Sequence, residues 1–299
     1  MMMCNLRYFS FLLLLLMAAC APVPVPIGYY NNCAMDFADS LNRYTMRFSG
    51  SKSIADAKDY ICSEMSKHAD TVMVQSRKVQ LNDTLSVTLN NIMCMFNTDY
   101  RDRVLLYTNY DQNPFSGDTA DCASGAALLM SLSRYFAERD PGFGIDVVFF
   151  DGRFAYLNDS TINGHLRYCL GAQAWAEDNK EIIPQYQYGI SVMHPAHKNA
   201  FFVIDGNSNH FASRHFYFAR STAKLFDAEN LFPDVIAEPY YGDNTIVSAV
   251  AGVRSFCLAG QYLRNGNPED IKNDCLKDVD NQCFENIAKI IIETVYTSH

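Results

Sequence analysis

The sequence predicts one α/β domain: a mostly parallel, twisted central sheet with helices on both faces and an N-terminal helical hairpin. The first observation is a strand–helix–strand unit, in which apolar runs at 104–107 and 145–150 flank a helical stretch at 123–138. A crossover of this kind joins parallel strands. The second observation is composition: 299 residues that are 49% hydrophobic and only 19% charged can bury a large sheet in one core.

Hydrophobic periodicity and turn residues place the other elements. A Ser-Gly-Ser break separates helices at 34–48 and 54–68, which form the predicted helical hairpin. Strands at 71–79 and 86–96 follow, and Asn82-Asp83 between them predicts a β-hairpin turn. After the crossover the predicted elements are helix 165–177, strands 188–193 and 200–204, a helix within 211–226, short strands 235–238 and 254–258, and an amphipathic helix 279–297.

Polar residues collect at the carboxyl edge of the predicted crossover. Asn109 and Asp111 follow its first strand, and Asp121 opens its helix. Open parallel sheets bind ligands outside the carboxyl ends of their strands. We therefore expect any functional site of this chain to lie at this edge.

The N-terminus is typical of a targeting segment. Arg7 precedes an apolar run at 9–17 that is too short to span a bilayer and that resembles a secretory signal. Two small residues before Cys20 resemble a bacterial lipobox, and the alternative is an ordinary signal peptide cut nearby, with Cys20 incidental. Both interpretations predict export. The predicted organisation is a signal peptide at 1–19, a lipidated Cys20 with a Pro-rich tether at 20–30, and a domain at 31–299 of a lipoprotein anchored in the bacterial cell envelope.

Charge and cysteine content narrow the partners. The formal net charge is −9 and no run of Lys or Arg occurs, which disfavours a nucleic-acid partner. Without Cys4 and Cys20, eight cysteines remain, an even number that permits disulfides after export. A bridge between Cys33 and Cys62 is one option. Cysteines within apolar strands or helices are more typical of buried thiols, and these are Cys94, Cys169 and Cys257.

Four motifs resemble those of bacterial-type glutaminyl cyclases, a branch of the zinc aminopeptidase superfamily. In that family a first strand ends His-x-Asp, a loop reads Gly-Ala-Asn-Asp-Gly-Ala-Ser-Gly, a second strand ends Phe-Phe-Asp-x-Glu-(Glu/Asp), and a helix lies near Trp-Cys-Leu-Gly-Ser-Gln. The corresponding stretches here are TNYD (108–111), GDTADCASG (117–125), VVFFDGRF (147–154) and YCLGAQAWA (168–176). The resemblance extends from about Phe37 to Tyr296 and implies the fold of that family.

The same resemblance implies a pocket whose chemistry has changed. Asp121 matches the zinc ligand of the loop. Arg153 stands where the family has the Glu that acts as general acid and base, and Phe154 stands where it has a second zinc ligand. Two further Asp residues of the family belong to its proton-transfer network, and they correspond to Asp243 and Met193 here. The His ligand near the C-terminal end of the family's chain corresponds to Asp270. The His of two-zinc relatives corresponds to Asn109, and the Asp of the first-strand motif to Asp111.

These substitutions predict a site without metal or other cofactor. A catalytic zinc takes three protein ligands, and a phenyl ring offers none while a thioether is only a soft donor. Arg153 brings a permanent positive charge to the place of a dication. In one hypothesis Arg153 forms a salt bridge with Asp121 or Asp243 and replaces the charge of the zinc. In the other, Arg153 points to solvent and Asp121 only caps its helix.

Two classes of function follow. The first is a non-catalytic relative that binds a peptide N-terminus or a protein partner. The second is a zinc-dependent glutaminyl-peptide cyclotransferase or aminopeptidase whose ligands come from other positions, such as Asp159, His165 or His197.

Overall fold

The computed structural model describes residues 33–113, 123–162, 164–239, 241–264, 267–270 and 276–298. The side chains of His165 and of residues 263, 264 and 267–270 lie outside this description. The helices are α1 (Cys33–Asn42), α2 (Lys52–Met65), α3 (Ser124–Glu138), α4 (Leu170–Asp178), α5 (Gly206–Thr222), α6 (Asp243–Thr245) and α7 (Asn281–Thr297). The strands are β1 (Thr71–Gln80), β2 (Ser86–Phe96), β3 (Arg103–Asn109), β4 (Gly144–Phe150), β5 (Tyr186–Met193), β6 (Phe201–Phe202), β7 (Ile204–Asp205), β8 (Ile236–Ala237), β9 (Ser255–Arg264) and β10 (Asn267–Asp270).

One central sheet has the strand order β1-β2-β4-β3-β5-β9-β10, and β6 also pairs with β9. The middle strands β4, β3, β5 and β9 are parallel, while β1, β2, β6 and β10 pair antiparallel. Strands β7 and β8 form a separate parallel pair. The α/β prediction is therefore confirmed, with its parallel part confined to the centre of the sheet.

Alternating side chains give the sheet two buried faces. Along β4, Ile145, Val147 and Phe149 join one core and Val148 and Phe150 join the other, as the two-residue repeat of a strand requires. Helices α1, α2, α3, α5 and α7 cover the first face. Helix α4 and the π-helical turn that follows α6 cover the second. Helices on both faces are thus confirmed.

Two glycines let helices start directly against the strand ends. A Cβ on Gly125, in the first turn of α3, would lie 2.6 Å from the backbone oxygen of Val192 in β5. A Cβ on Gly171, in the first turn of α4, would overlap the backbone oxygen of Asp151. Because any larger residue would push these helices outward, the glycines set how closely the helix starts approach the carboxyl edge.

A buried ion pair lies near the amino ends of the parallel strands, opposite the carboxyl edge. The Nε of Arg103 lies 3.0 Å from both carboxylate oxygens of Asp146, and Tyr186 donates its hydroxyl to the same carboxylate at 2.7 Å. Arg103 also donates to the backbone oxygens of Phe96 and Tyr100. Several hydrogen bonds therefore compensate for burying these two charges.

Some boundaries differ from the sequence prediction. The first helix ends at Asn42 rather than near 48, because Arg47 turns inward to bind backbone oxygens. The predicted strand at 200–204 is two short strands, β6 and β7, and β10 and α6 were not predicted. Within the described residues, no helix has both the length and the apolar character needed to cross a membrane.

The described cysteines Cys33, Cys62, Cys94, Cys169 and Cys283 are free thiols. Cys33 is exposed and Cys62 is half-buried, so the bridge considered between them is not formed. Helix α1 packs mainly against α3, and Cys33 at its first position stays at the surface. Cys94, Cys169 and Cys257 are buried, as their apolar surroundings predicted.

Candidate functional site

The carboxyl ends of three parallel strands meet at the predicted edge. Strand β3 ends at Asn109, β5 ends at Met193, and Arg153 follows the end of β4 by three residues. Helix α6 brings Asp243 to the same place. Residues that are 90 positions apart in sequence are therefore in contact at this edge.

Arg153 is the centre of the contacts at this edge. Its Nη1 lies 3.3 Å from Oδ2 of Asp243 and 3.6 Å from Sδ of Met193, and its guanidinium carbon lies 5.5 Å from the centre of the Phe154 ring. The side chain of Arg153 is 10% exposed and that of Asp243 is 1% exposed. Burial raises the pKa of Asp243, and the positive charge of Arg153 opposes that rise. Arg153 thus does not point to solvent.

Asp111 is a buried carboxyl group beside this pair. Its Oδ2 accepts the backbone N–H of Phe154 at 3.1 Å, and its Oδ1 accepts Nδ2 of Asn109 at 3.0 Å. Burial, reinforced by the nearby charge of Asp151, raises the pKa of Asp111 to about 8. Asp111 therefore retains its proton in most molecules at neutral pH.

Three residues around this edge have left-handed backbone conformations although none is glycine. Ala123 (φ 48°) precedes α3, Cys169 (φ 55°) precedes α4, and His194 (φ 46°) follows β5. Such conformations cost free energy and occur preferentially at functional sites. Their grouping at one edge supports this edge as the functional region of the fold.

A cavity of about 160 Å³ opens beside Arg153. Among its described lining residues Arg153 is the only one with a charged side chain. The lining residues are Arg153, Phe154, Tyr168, Cys169, Tyr241, Gly242, Thr245 and Ile246. A smaller cavity of about 10 Å³ lies between Asn109, Asp111 and Met193, with space for roughly one water molecule.

The loop between α1 and α2 forms hydrogen bonds with the segments that follow β3 and β4. The buried Arg47 donates its Nε to the backbone oxygen of Tyr110 at 2.9 Å, and Ser49 donates its hydroxyl to Asp151 Oδ1 at 2.6 Å. Gln112 bonds this loop twice, through its backbone N–H to Arg47 and through its side chain to the N–H of Met46. This N-terminal loop therefore fixes the segments that carry Asp111 and Arg153.

The structure brings together six of the eight pocket residues selected from the sequence. They are Asn109, Asp111, Arg153, Phe154, Met193 and Asp243. Asp121 lies outside the described residues, as do Cys20 and the signal and tether segments. Asp270 is on β10, where its backbone pairs with Gln261, and its side chain is not described.

The alternative ligand positions are scattered. Asp159 is exposed and accepts hydrogen bonds from Thr161. His197 forms a backbone bridge with Val279, and its Nδ1 accepts the N–H of Asn199. The side chain of His165 lies outside the described residues.

Sequence reasoning missed several residues of the site. Tyr168 and Cys169 lie in the motif YCLGAQAWA, from which the sequence analysis predicted only the fold. Tyr241 lies in the turn before Asp243. The signal available in the sequence was the position of these tyrosines, within a family motif and two residues before Asp243. Arg47 and Ser49 had no such signal, because their partners are 63 and 102 residues away.

The central sheet, the helices on both its faces and the polar edge define an α/β fold whose candidate site lies at the carboxyl ends of its parallel strands. The chain belongs to Peptidase family M28, whose model matches residues 90–294. No curated protein matches the sequence.

Solved structures agree with this assignment at the level of the fold. Glutaminyl cyclase of Porphyromonas gingivalis is 20% identical, covers 91% of this chain and 99% of its own, and superposes with a TM-score of 0.81. A Zn-dependent exopeptidase of Parabacteroides distasonis is 20% identical, with 90% and 98% coverage and a TM-score of 0.79. Glutaminyl cyclase of Bacteroides thetaiotaomicron, solved with bound N-acetylhistamine, is 18% identical, with 90% and 98% coverage and a TM-score of 0.80. The predicted resemblance to glutaminyl cyclases of the zinc aminopeptidase superfamily is confirmed.

The comparisons contradict the prediction that no cofactor is involved. A Zn-dependent exopeptidase of Parabacteroides distasonis shares this fold and the chain belongs to Peptidase family M28, so zinc is the cofactor that family membership implies. The prediction was wrong because it gave the positions aligned with the family's ligands more weight than the alternative of zinc bound by other residues.

The described residues do not by themselves form a zinc site. Zinc takes three or four donors in a tetrahedral arrangement. Among residues 33–113, 123–162, 164–239 and the other described ranges, no three His, Cys, Asp or Glu side chains converge in a way that could hold a metal ion. Asp243 contacts Arg153, and both oxygens of Asp111 accept hydrogen bonds.

Proposed function

We propose that this protein is a non-catalytic member of its family, a pseudoenzyme that binds a peptide or protein ligand in the cavity beside Arg153. The supporting observation is the contact of Arg153 with Asp243 at 3.3 Å, at the position where the resemblance places a general acid and base. A guanidinium keeps its proton throughout the physiological pH range and cannot transfer it. Cyclisation and aminopeptidase hydrolysis both need a proton-transferring group within hydrogen-bond reach.

Two carboxyl groups at this edge, those of Asp111 and Asp243, are poor substitutes for the missing base. Asp111 accepts two protein hydrogen bonds and lines the smaller cavity. Asp243 is 1% exposed, and Arg153 lies against it. Neither group lines the larger cavity where a substrate would fit.

Turnover assays test this proposal directly. Purified protein, with zinc supplied in the buffer, is incubated with a peptide that has an N-terminal glutamine and with aminoacyl chromogenic substrates. Glutaminyl cyclase of Porphyromonas gingivalis serves as the positive control. We expect no product above the uncatalysed rate, and zinc-dependent turnover that exceeds this rate would overturn the proposal.

The competing candidate is an active zinc-dependent glutaminyl-peptide cyclotransferase or aminopeptidase. Membership in Peptidase family M28 and the enzymes among its structural neighbours favour it. An active zinc enzyme would need zinc ligands at positions other than those that match the ligands of the family. Stoichiometric zinc in the purified protein together with turnover of one of these substrates would establish it.

We also propose that the protein is exported and held at the membrane of the bacterial cell envelope by a lipid on Cys20. The support is the short apolar run followed by two small residues and Cys20. Metabolic labelling with a fatty acid analogue should label the wild type and spare Cys20→Ala. An unlabelled wild-type protein would contradict the anchor and leave export to be judged from fractionation.

The proposed ligand is a peptide end or a protein surface and not a nucleic acid. The net charge of −9 opposes binding of a polyanion. A free N-terminal ammonium was the ligand first expected, through Asp121 and Asp243. Asp243 does not line the larger cavity, which weakens that expectation for the described residues.

A further inference from the structure

The edge strand β1 has an open side. In the described part of the chain β1 pairs only with β2, in a continuous register from Thr71 opposite Met95 to Gln80 opposite Ser86. Because the backbone groups of successive residues point alternately to the two sides of a strand, every second residue of β1 directs its N–H and C=O away from β2. No backbone hydrogen bond from another described residue reaches this side of β1. An open strand edge of this kind can pair with an added strand.

A groove runs along this open side, between β1 and helix α4. It has a volume of about 300 Å³, and four consecutive residues of β1, 77–80, line it. Since side chains alternate between the two faces of a sheet, a wall of four consecutive residues places the groove against the backbone edge of the strand. We call this space the β1 groove, and its other described lining residues are Leu157, Leu170, Gln173, Ala174 and Glu177. None of these residues lines the cavity beside Arg153, so the two sites are distinct.

Side-chain contacts hold α4 beside the edge strand. Nη1 of Arg77 lies 3.0 Å from Oε2 of Glu177, and Nη2 of Arg77 contacts the carboxylate of Asp178. The side-chain amides of Gln75 and Asn179 exchange two hydrogen bonds, of 2.9 and 3.0 Å. The β1 groove is therefore formed before a ligand enters, which reduces the entropy that is lost on binding.

The wall of the groove that faces α4 favours apolar groups. Its two charged residues, Arg77 and Glu177, form an ion pair with each other. The side-chain amide of Gln173 donates to the backbone oxygens of Leu166 and Tyr168, so both its donors are used within the protein. The remaining described residues of this wall are Val79, Leu157, Leu170 and Ala174. An apolar side chain of a ligand therefore loses less hydration free energy on entering than a charged one would.

Lys78 gives the other face of this edge a positive charge. Arg77 points towards α4, so the side chain of the next residue, Lys78, points to the opposite face of the sheet. Lys78 is exposed, and no described carboxylate lies within ion-pair distance of it. Its cross-strand neighbour on β2 is the uncharged Thr88. A carboxylate on a strand paired with the open side of β1 would therefore lie beside an unpaired cation, which is a favourable cross-strand contact.

We propose that β1 binds an extended peptide segment of another protein, which adds to the sheet as a further strand. The segment alternates apolar side chains, which enter the β1 groove towards α4, with acidic side chains, which contact Lys78 on the other face. Main-chain hydrogen bonds provide the affinity in this mode of recognition, and the alternate side chains provide the specificity. Asn158 donates its backbone N–H to Leu81 at 2.9 Å and so closes the groove at the end of β1.

Fluorescence anisotropy of a labelled peptide tests the proposal on the purified protein. The probe is a short peptide with both ends blocked, in which valine and glutamate alternate. A second peptide has the same composition but places its valines and glutamates in pairs, and a third has lysine in place of glutamate. We expect the alternating valine–glutamate peptide to bind at least about tenfold more tightly than either.

Two N-methylated versions of the probe test the main-chain hydrogen bonds. One carries methyl groups on its valine amides and the other on its glutamate amides. Because alternate amides of an extended strand point to opposite sides, only one of these two sets faces β1. We expect one version to bind at least about tenfold more weakly than the probe, and the other to bind about as tightly as the probe.

Variants test the side chains. Lys78→Glu should weaken binding of the valine–glutamate peptide about three- to tenfold and tighten binding of the lysine peptide. Val79→Glu places a charge in the β1 groove and should weaken binding of the probe by a similar factor. Lys224→Glu is the matched control and should leave binding unchanged. Lys224 is an exposed lysine on the turn after α5, a helix that packs on β9, far from β1 in the sheet.

Each outcome decides the proposal. Equal affinity for the alternating and the paired peptide, equal losses for the two methylated versions, or no binding at millimolar concentration overturns it. Sedimentation velocity of the protein alone tests a second copy as the occupant, and a dimer that the probe dissociates would overturn the proposal in favour of pairing between two β1 strands. These results are separate from the turnover assays, because the β1 groove and the cavity beside Arg153 share no described residue.

Discussion

The contact between Arg153 and Asp243 makes a quantitative prediction about stability. The two side chains are 10% and 1% exposed, and their charged atoms are 3.3 Å apart. At an effective dielectric of 20 their direct attraction is about 5 kcal/mol, an upper value because desolvation opposes it. Arg153→Met leaves the Asp243 carboxylate buried without this cation. We expect this variant to lose about 3 kcal/mol of the free energy of unfolding at neutral pH.

The pH dependence of this loss has a definite sign. Burial already raises the pKa of Asp243, and removal of Arg153 raises it further. A carboxyl group whose folded pKa exceeds its unfolded pKa stabilises the folded protein less as the pH rises. The loss caused by Arg153→Met should therefore be smaller at pH 5 than at pH 8.

Urea unfolding followed by circular dichroism measures these free energies. The comparison includes Asp243→Asn, the double variant Arg153→Met/Asp243→Asn and the control Arg101→Met, which replaces an exposed arginine just before β3. The double variant contains neither charge, so we expect it to lose about 2 kcal/mol less than the sum of the single variants. Additive losses, or an Arg153→Met loss no larger than that of Arg101→Met, would refute the role assigned to the pair.

Three other substitutions test separate parts of the structure. Asp111→Asn should flatten the pH dependence of stability: the folded pKa of about 8 lies above the unfolded value of 3.8, so wild-type stability falls as the pH rises through this interval, and unfolding at pH 5 and pH 8 measures the change. Gly171→Ala should cost about 3 kcal/mol, because its Cβ would overlap a backbone oxygen, while Gly164→Ala, which meets no atom within 4 Å, should cost less than 1 kcal/mol in the same measurement. Arg103→Met should cost about 4 kcal/mol and lower the melting temperature, because it leaves the buried Asp146 carboxylate without its cation; an unchanged melting temperature would contradict this account.

The sequence predicted the centre of the sheet because its strands are continuous apolar runs. Both faces of β4 are buried, and a strand of this kind is apolar at every position except one paired carboxylate, Asp146. The helix between β3 and β4 followed from the same local signal. The polar strand β10, with sequence NPED, offers no apolar repeat and was missed.

The candidate site was only partly predictable for a physical reason. The residues at the strand ends follow from the order of elements, because parallel strands place their carboxyl ends at one edge. The contacts made by Arg47 and Ser49 depend instead on how a loop folds back over the sheet, across 63 and 102 residues. Nothing in a short sequence window distinguishes these residues from exposed polar residues of a loop.

The cofactor prediction failed because the residue types at a few aligned positions were taken to decide the chemistry of the whole site. Phe154 donates no lone pair, and Arg153 carries a charge of the wrong sign for a cation neighbour, so both arguments hold for those two positions. They do not extend to the rest of the edge, and the zinc-dependent relatives show that this fold accommodates the metal. The argument that does carry over concerns proton transfer, because a guanidinium cannot act as a base whatever is bound nearby. If Arg153→Glu produced turnover of an N-terminal glutaminyl peptide in zinc-containing buffer while the wild type gave none, this single position would account for the loss of catalysis.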